Sequence, residues 1–164
     1  AGIEVEVGLL ADEARAANRI WLSALEMQRP FVTLKAAITL DGKIARAEAS
    51  KVISQRVSAI AAGVPALLTG DLNINEDNPA YSVFVKPTTP GAIRWIDSFR
   101  TLHPQRSPDE ASFHGFKGGT KGSRIDFIFH TDHFVATEAA IDRTSKDGRY
   151  PSDHYPVTAT VKLK

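Results

Sequence analysis

The stretch Pro65-Ala66-Leu67-Leu68-Thr69-Gly70-Asp71-Leu72-Asn73 constrains the fold most. A short apolar run stops at a glycine, an aspartate follows at once, and an asparagine stands two residues on. This predicts a buried strand that delivers a carboxylate and an amide to the end of a sheet. In open α/β sheets ligands bind outside the carboxyl ends of the strands, and Gly70 suits a sharp exit or a close backbone approach. A plain surface turn would carry the same residues. The far end of the chain adds weight, because Ser152-Asp153-His154-Tyr155-Pro156 offers a second carboxylate beside a histidine.

Around that strand the pattern supplies an α/β chain of α+β character. Residues 3–7 alternate apolar and acidic as a short strand would. Leu10, Ala14, Ala17, Trp21 and Leu25 make one apolar stripe, predicting a helix from Asp12 to Met27 that Pro30 terminates. Residues 31–40 read as a strand. Ser50 can cap a helix over 51–62 with the stripe Ile53, Val57, Ile60 and Ala61, and Gly63 can end it. Residues 31–70 are then a strand-helix-strand unit, most simply a right-handed parallel crossover. Residues 74–92 read as loop, 93–102 as a short helix and 103–123 as a long loop. Strands are expected over 124–129, 134–140 and 155–163, with a polar loop at 142–152. The whole predicts one domain, 1–164, built on a mixed sheet of about five strands: 31–40, 65–70, 124–129, 134–140 and 155–163.

Asp71, Asn73, Asp126 and the Asp153-His154 pair fall in strands or at their ends. Three carboxylates without a matching cation repel one another, and a hard ion such as Mg²⁺ or Mn²⁺ would relieve this. A histidine beside a carboxylate favours the imidazolium and suits a phosphate oxygen. The set suits metal-assisted attack of water on a phosphoester. Blander readings pair Asp126 with Arg124 or Arg149 and make Asp153-His154 a turn. His103, His114, His130 and His133 read as surface or loop histidines. With no cysteine in 164 residues, thiolate metal sites and cysteine nucleophiles are excluded. A net charge of +1 gives no strong field toward nucleic acid or membrane. No apolar run approaches the roughly 18 residues of a membrane span, and no targeting segment is visible, which leaves the compartment unknown.

Residues 52–164 resemble the C-terminal half of the endonuclease/exonuclease/phosphatase superfamily, the fold of DNase I and the inositol polyphosphate phosphatases. Gly70-Asp71-Leu72-Asn73 is similar to its Gly-Asp-Phe-Asn box. Ser123-Arg124-Ile125-Asp126-Phe127-Ile128-Phe129 is similar to its Arg-Ile-Asp-Tyr-Ile box, and Pro151-Ser152-Asp153-His154-Tyr155-Pro156-Val157 to its closing Ser-Asp-His box. The resemblance implies that Asp71 orients or deprotonates the attacking water and that Asn73 holds a phosphate oxygen. It implies that His154 stabilises the transition state, that Asp126 orients His154, and that Asp153, with Asp71, binds the metal. The family's N-terminal asparagine and metal-binding glutamate have no counterpart here. Only an acid such as Glu4, Glu6, Glu13, Glu26 or Glu48 could stand in.

Residues 2–46 resemble a different family, the reductase part of the riboflavin-biosynthesis deaminase/reductase. The matching features are Gly2-Ile3-Glu4-Val5-Glu6-Val7-Gly8, the Glu13-Ala14-Arg15-Ala16-Ala17-Asn18 helix, and Arg29-Pro30-Phe31-Val32-Thr33-Leu34-Lys35 leading to Thr39-Leu40-Asp41-Gly42-Lys43-Ile44-Ala45. That resemblance implies a dihydrofolate-reductase-like βαβ start. Thr69-Gly70-Asp71 stands where its nicotinamide loop is due, so no nicotinamide cofactor is expected. The simplest reading is a chimera, engineered or selected, with a reductase-like segment 1–50 and a phosphoesterase-like segment 51–164. A natural truncated relative is the alternative. Three functions follow: a weak metal-dependent phosphoesterase, with completion by dimerisation as its variant; a folded chimera without activity; a flavin-pathway or nucleotide-binding module. Half of a two-sheet sandwich leaves one sheet face uncovered, and helix 12–27, through Trp21, or a second copy in a homodimer is expected to cover it.

Overall fold

A computed structural model describes residues 11–17, 32–35, 47–61 and 63–164. The strand expected over 3–7, residues 18–27 of the first helix with Trp21, and residues 36–40 lie outside the described residues. The chain divides into two compact units, residues 1–32 and 33–164. In the first, helix α1 (Ala11–Ala17) realises the start of the expected helix, with Asp12 and Glu13 in its first turn, where acidic groups complement the helix dipole.

The second unit holds the organising strand. Strands β1 (Val32–Lys35), β2 (Ala66–Asp71), β3 (Ile96–Asp97) and β4 (Asp126–His130) form one sheet in the order β1-β2-β4-β3. Strands β5 (Phe134–Ile141) and β6 (Val157–Leu163) form a separate antiparallel ribbon. The mixed α and β architecture stands, but the single sheet of about five strands is divided into four and two. The cause lies just after β4. Thr131 donates its N–H to the Ala66 carbonyl at 3.0 Å and accepts the Ala66 N–H on Oγ1 at 3.1 Å. The chain then turns at Asp132-His133, and β5 is bulged between Ala136 and Glu138, which adds local twist.

Helix α2 (Ala47–Ala61) precedes β2. It begins before Ser50, so Ser50 is a buried helix residue and not the expected cap. Its inward face keeps Ile53, Val57 and Ala61 of the expected stripe but not Ile60, and adds three serines. Ser50, Ser54, Val57, Ser58 and Ala61 are buried, whereas Val52 and Ile60 are exposed. Small side chains let a helix lie close to its neighbours, and Ser58 Oγ accepts the Ile93 N–H at 2.8 Å.

Helix α3 (Pro79–Val85) falls in a region read as loop. Asn78 caps it, accepting the Ala80 N–H at 2.9 Å, and Pro79 occupies its first turn, where proline is favoured. Its Tyr81 and Phe84 pack with Leu68, Phe127, Phe129 and Trp95 in the main core. The expected helix over 93–102 is replaced by two elements. Ile96 and Asp97 pair with β4, and Asp97 then caps α4 (Ser98–Leu102), accepting the Phe99 and Arg100 N–H groups at 3.1 and 3.2 Å. A second cluster of Phe99, Ile141 and Tyr155 ties α4 to the ribbon.

Candidate functional site

Antiparallel pairing of β2 with β4 sets Asp71 directly opposite Asp126. Like charges in such register are destabilising unless something intervenes. His154, just before β6, does so. Its Nδ1 lies 2.8 Å from Asp126 Oδ2, and its Nε2 lies 3.9 Å from Asp71 Oδ2. Ligand atoms of Asp71, Asp126 and His154 all lie within 4.8 Å of one another, and all three residues are half-buried. Burial by itself would lower the His154 pKa. The hydrogen bond and charge of Asp126, with the charges of Asp71 and Asp153, outweigh burial and hold it above its ordinary value.

The Asp-x-Asn spacing has a local cause. Leu72 turns into the core and donates its N–H to the Ile125 carbonyl at 3.0 Å. Asn73 takes a left-handed conformation, φ 51°, which asparagine tolerates. Its backbone N–H reaches Asp71 Oδ1 at 2.8 Å and its Nδ2 reaches Oδ2 at 3.2 Å. The amide therefore sits on the aspartate, and both stay at the mouth of the sheet. Asp153 stands outside the close group. Its carbonyl accepts the His114 and Gly115 N–H groups at 2.9 and 3.0 Å, while its carboxylate reaches His154 only as a charge. Asp126 pairs with neither Arg124 nor Arg149. Arg124 donates only to its carbonyl, at 3.3 Å.

Two residues of the long 103–123 loop join the site without a sequence signal. Ser112 Oγ accepts the Ile125 and Asp126 N–H groups at 2.9 and 3.2 Å, and its carbonyl accepts the Tyr155 N–H at 2.7 Å. It thus fixes the backbone of Asp126 against that of Tyr155, the residue after His154. Phe113, half exposed, meets the His154 ring edge-on at 5.1 Å. Of the other histidines, His103 is exposed, whereas His130 is buried in β4 and His114 is buried between Tyr150 and Tyr155. The last two are corrections to the surface reading. None of the four belongs to the close group.

Beneath the site an ion network braces the sheet end. Arg124, with no exposed side-chain surface, donates to Asp97 at 2.6 Å and to Glu76 at 2.8 Å. Arg100 holds Glu76 through both terminal and inner nitrogens, at 2.8 and 2.9 Å, and also pairs with Glu110. Burial would raise the Glu76 carboxyl, but the two guanidinium groups outweigh it and hold it low. On the other side of the site a cavity of about 460 Å³ opens against His154. Tyr150, Pro151, Tyr155, Lys146 and Arg149 help to line it.

No protein-family model matches the chain. It is 37% identical over 102 residues to the riboflavin biosynthesis protein RibD of Aquifex aeolicus, a match covering 58% of this chain and 29% of that protein. The chain spans less than a third of the length of the curated relatives it matches. By structure it is similar to the mannosyl-6-phosphatase Bt3783 of Bacteroides thetaiotaomicron, with a TM-score of 0.62 and 24% identity over 81% of this chain and 51% of that one. It is likewise similar to an endonuclease/exonuclease/phosphatase family protein of the same organism, with a TM-score of 0.59 and 22% identity over 80% of this chain and 50% of that one. The fold is therefore that of half an endonuclease/exonuclease/phosphatase protein, joined in one chain to a RibD-like sequence. The RibD match covers more than half of the chain, well beyond residues 2–46, so the two likenesses overlap. Among the described residues, no helix is long and apolar enough to cross a membrane.

Proposed function

We propose that the chain carries a phosphoester-hydrolysis site of slow turnover, built from Asp71, Asn73, Asp126 and His154. The observation that carries the reading is the His154–Asp126 contact of 2.8 Å facing Asp71 across the sheet end. Asp126 orients the imidazole and favours its charged form, which suits a phosphoryl oxygen. Asp71 is placed to hold or deprotonate a water, and the Asn73 amide beside it to hold a phosphate oxygen. Asp71 and Asp126 face each other across the sheet end with the Asp153 charge nearby, so the donor set fits a hard divalent cation such as Mg²⁺ or Mn²⁺ that Asp71 and Asp126 would hold, with Asp153 acting only as a nearby charge. Such an ion would supply charge neutralisation on the phosphate. No glutamate completes the close group among the described residues, and phosphoryl transfer depends heavily on positioning and charge neutralisation. Turnover is therefore expected below about 1 s⁻¹.

Calorimetric titration with Mn²⁺, in the parent and in Asp71→Asn, tests the metal site. Hydrolysis of bis(4-nitrophenyl) phosphate, in the parent and in His154→Ala, tests the chemistry. Weaker metal binding in the first variant and loss of the slow hydrolysis in the second are expected. Hydrolysis indifferent to His154→Ala would sink the proposal.

A further inference from the structure

Beside His154 the chain builds a feature that the hydrolytic site does not use. Residues Lys146-Asp147-Gly148-Arg149 close a tight two-residue hairpin. Lys146 and Arg149 exchange both backbone hydrogen bonds, at 3.1 and 2.9 Å. Asp147 and Gly148 have φ of 52° and 70°, the conformation for which Asp-Gly is favoured. The hairpin therefore sets two cations directly opposite each other, an arrangement that costs stability unless an anion is met. Both are exposed, and among the described residues neither has an ion-pair partner, the Asp147 carboxylate at the tip included. Both also line the cavity that reaches His154.

Besides His154, the lining has a polar side of Thr144, Ser145 and Asp142, whose carboxylate is engaged by the Thr144 N–H at 2.9 Å and by its hydroxyl at 2.5 Å, and a wall that is aromatic and apolar. Tyr150 and Tyr155 meet at 5.6 Å and 80°, and Pro151 and Pro156 flank them. Its volume of about 460 Å³ lies within the range of about 300–1,000 Å³ for small-ligand pockets. Its position is fixed by the loop opposite. Gly118, at φ +73°, lies so close to Tyr150 that a Cβ there would stand 2.5 Å from the phenol oxygen.

We infer that this cleft is the subsite for the body of the substrate, and that the substrate is a small ring-bearing phosphoester with a second anionic group, a bisphosphate. The inference rests on the proposed phosphoesterase reading. One phosphate sits at His154, the ring lies along Tyr150 and Pro151, and the second phosphate meets Lys146 and Arg149. A guanidinium beside an ammonium offers charge-assisted hydrogen bonds suited to phosphate oxygens.

The test is calorimetric binding of a matched pair, phenyl phosphate and 1,4-phenylene bisphosphate. The bisphosphate should bind about tenfold tighter, beyond the statistical gain of a symmetric ligand. The preference should vanish in Lys146→Ser/Arg149→Ser while phenyl phosphate binding is unchanged. It should persist in Lys162→Ser/Lys164→Ser, which removes the same charge elsewhere. Equal binding of the pair by the parent, or a preference that survives the hairpin variant, overturns the inference. So does a hairpin-dependent gain shown by a short single-stranded oligonucleotide and not by the bisphosphate. Phosphate release from phenyl phosphate, measured alongside in the parent and His154→Ala, separates the two readings. Lost preference with His154-dependent hydrolysis overturns the subsite alone. Preference without hydrolysis overturns the proposed function and leaves the cleft as a bisphosphate site.

Discussion

Replacing Arg124 by methionine should be among the costliest single changes in the second unit. The side chain has no exposed surface, and its guanidinium carbon lies 4.4 Å from the Phe127 ring centroid and 4.8 Å from that of Phe99. Methionine keeps most of the apolar stem and removes the charge. Glu76 would still be held by the two nitrogens of Arg100. Asp97 would lose its one cation among the described residues and keep three neutral donors: the Tyr81 hydroxyl and the Phe99 and Arg100 N–H groups. One buried carboxylate is thus orphaned. Removing one partner of a buried pair costs about 3–5 kcal/mol. The remaining donors move the figure toward about 3, and two lost cation–π faces add about 1. A loss of about 3–4 kcal/mol is a large part of a typical stability of about 5–15 kcal/mol. Urea denaturation should show a lower midpoint at unchanged slope. Adding Asp97→Asn should recover about 1–2 kcal/mol, because the orphaned charge is gone. A single variant within about 0.5 kcal/mol of the parent, or no coupling between the two changes, would refute the reasoning.

The remaining predictions concern the site and its cleft. The raised His154 pKa makes its contact with Asp126 stabilising below the ordinary value of 6.5, and this contribution is lost as pH rises through the folded-state value. An NMR titration of the His154 ring should give a midpoint that falls in Asp126→Asn; an unmoved midpoint would remove Asp126 as the cause. Gly118→Ala should cost more than Gly148→Ala. Both have similar positive φ, about 1–2 kcal/mol for a left-handed alanine, but only at Gly118 does the new Cβ meet Tyr150. Equal thermal shifts would mean that the Tyr150 contact carries no constraint.

How much was legible in the sequence follows from where each signal sits. The Gly70-Asp71-Leu72-Asn73 stretch predicts a strand that delivers a carboxylate and an amide to a sheet end, and β2 does end at Asp71, opposite Asp126. The approach of Asp126 to His154 is expected too, since the boxes that carry them imply it. The ion network was not legible. Asp97 looks like one residue of a short helix, and only the pairing of Ile96 and Asp97 with β4 shows that it ends a strand, caps a helix and meets Arg124. Helix α3 carried a usable signal in Asn78-Pro79, a cap followed by a favoured first-turn proline, masked by the surrounding prolines and glycines. The inward face of α2 keeps Ile53, Val57 and Ala61 of the expected stripe and departs from it elsewhere. There the sequence pattern selects Ile60, and packing selects Ser50, Ser54 and Ser58.

The overlap of the two likenesses has a physical basis. Sequence identity to RibD extends over more than half of the chain, and the structural match to phosphatase-type proteins covers four-fifths of it, so part of the chain serves both. A helix followed by a glycine turn and a short apolar strand can meet the packing demands of either fold, because such demands are set by pattern and volume more than by identity. Chemistry is less permissive. The proposed hydrolysis needs a carboxylate at the end of β2, another at the start of β4 in register with it, and an imidazole delivered by the approach to β6. The antiparallel pairing of β2 with β4 brings the first two face to face, and Ser112, by its backbone and hydroxyl, ties Tyr155, the residue after the third, to them. None of these pairings lies within residues 2–46. The close group of Asp71, Asp126 and His154 is assembled by the pairing of β2 with β4 and by the approach to β6.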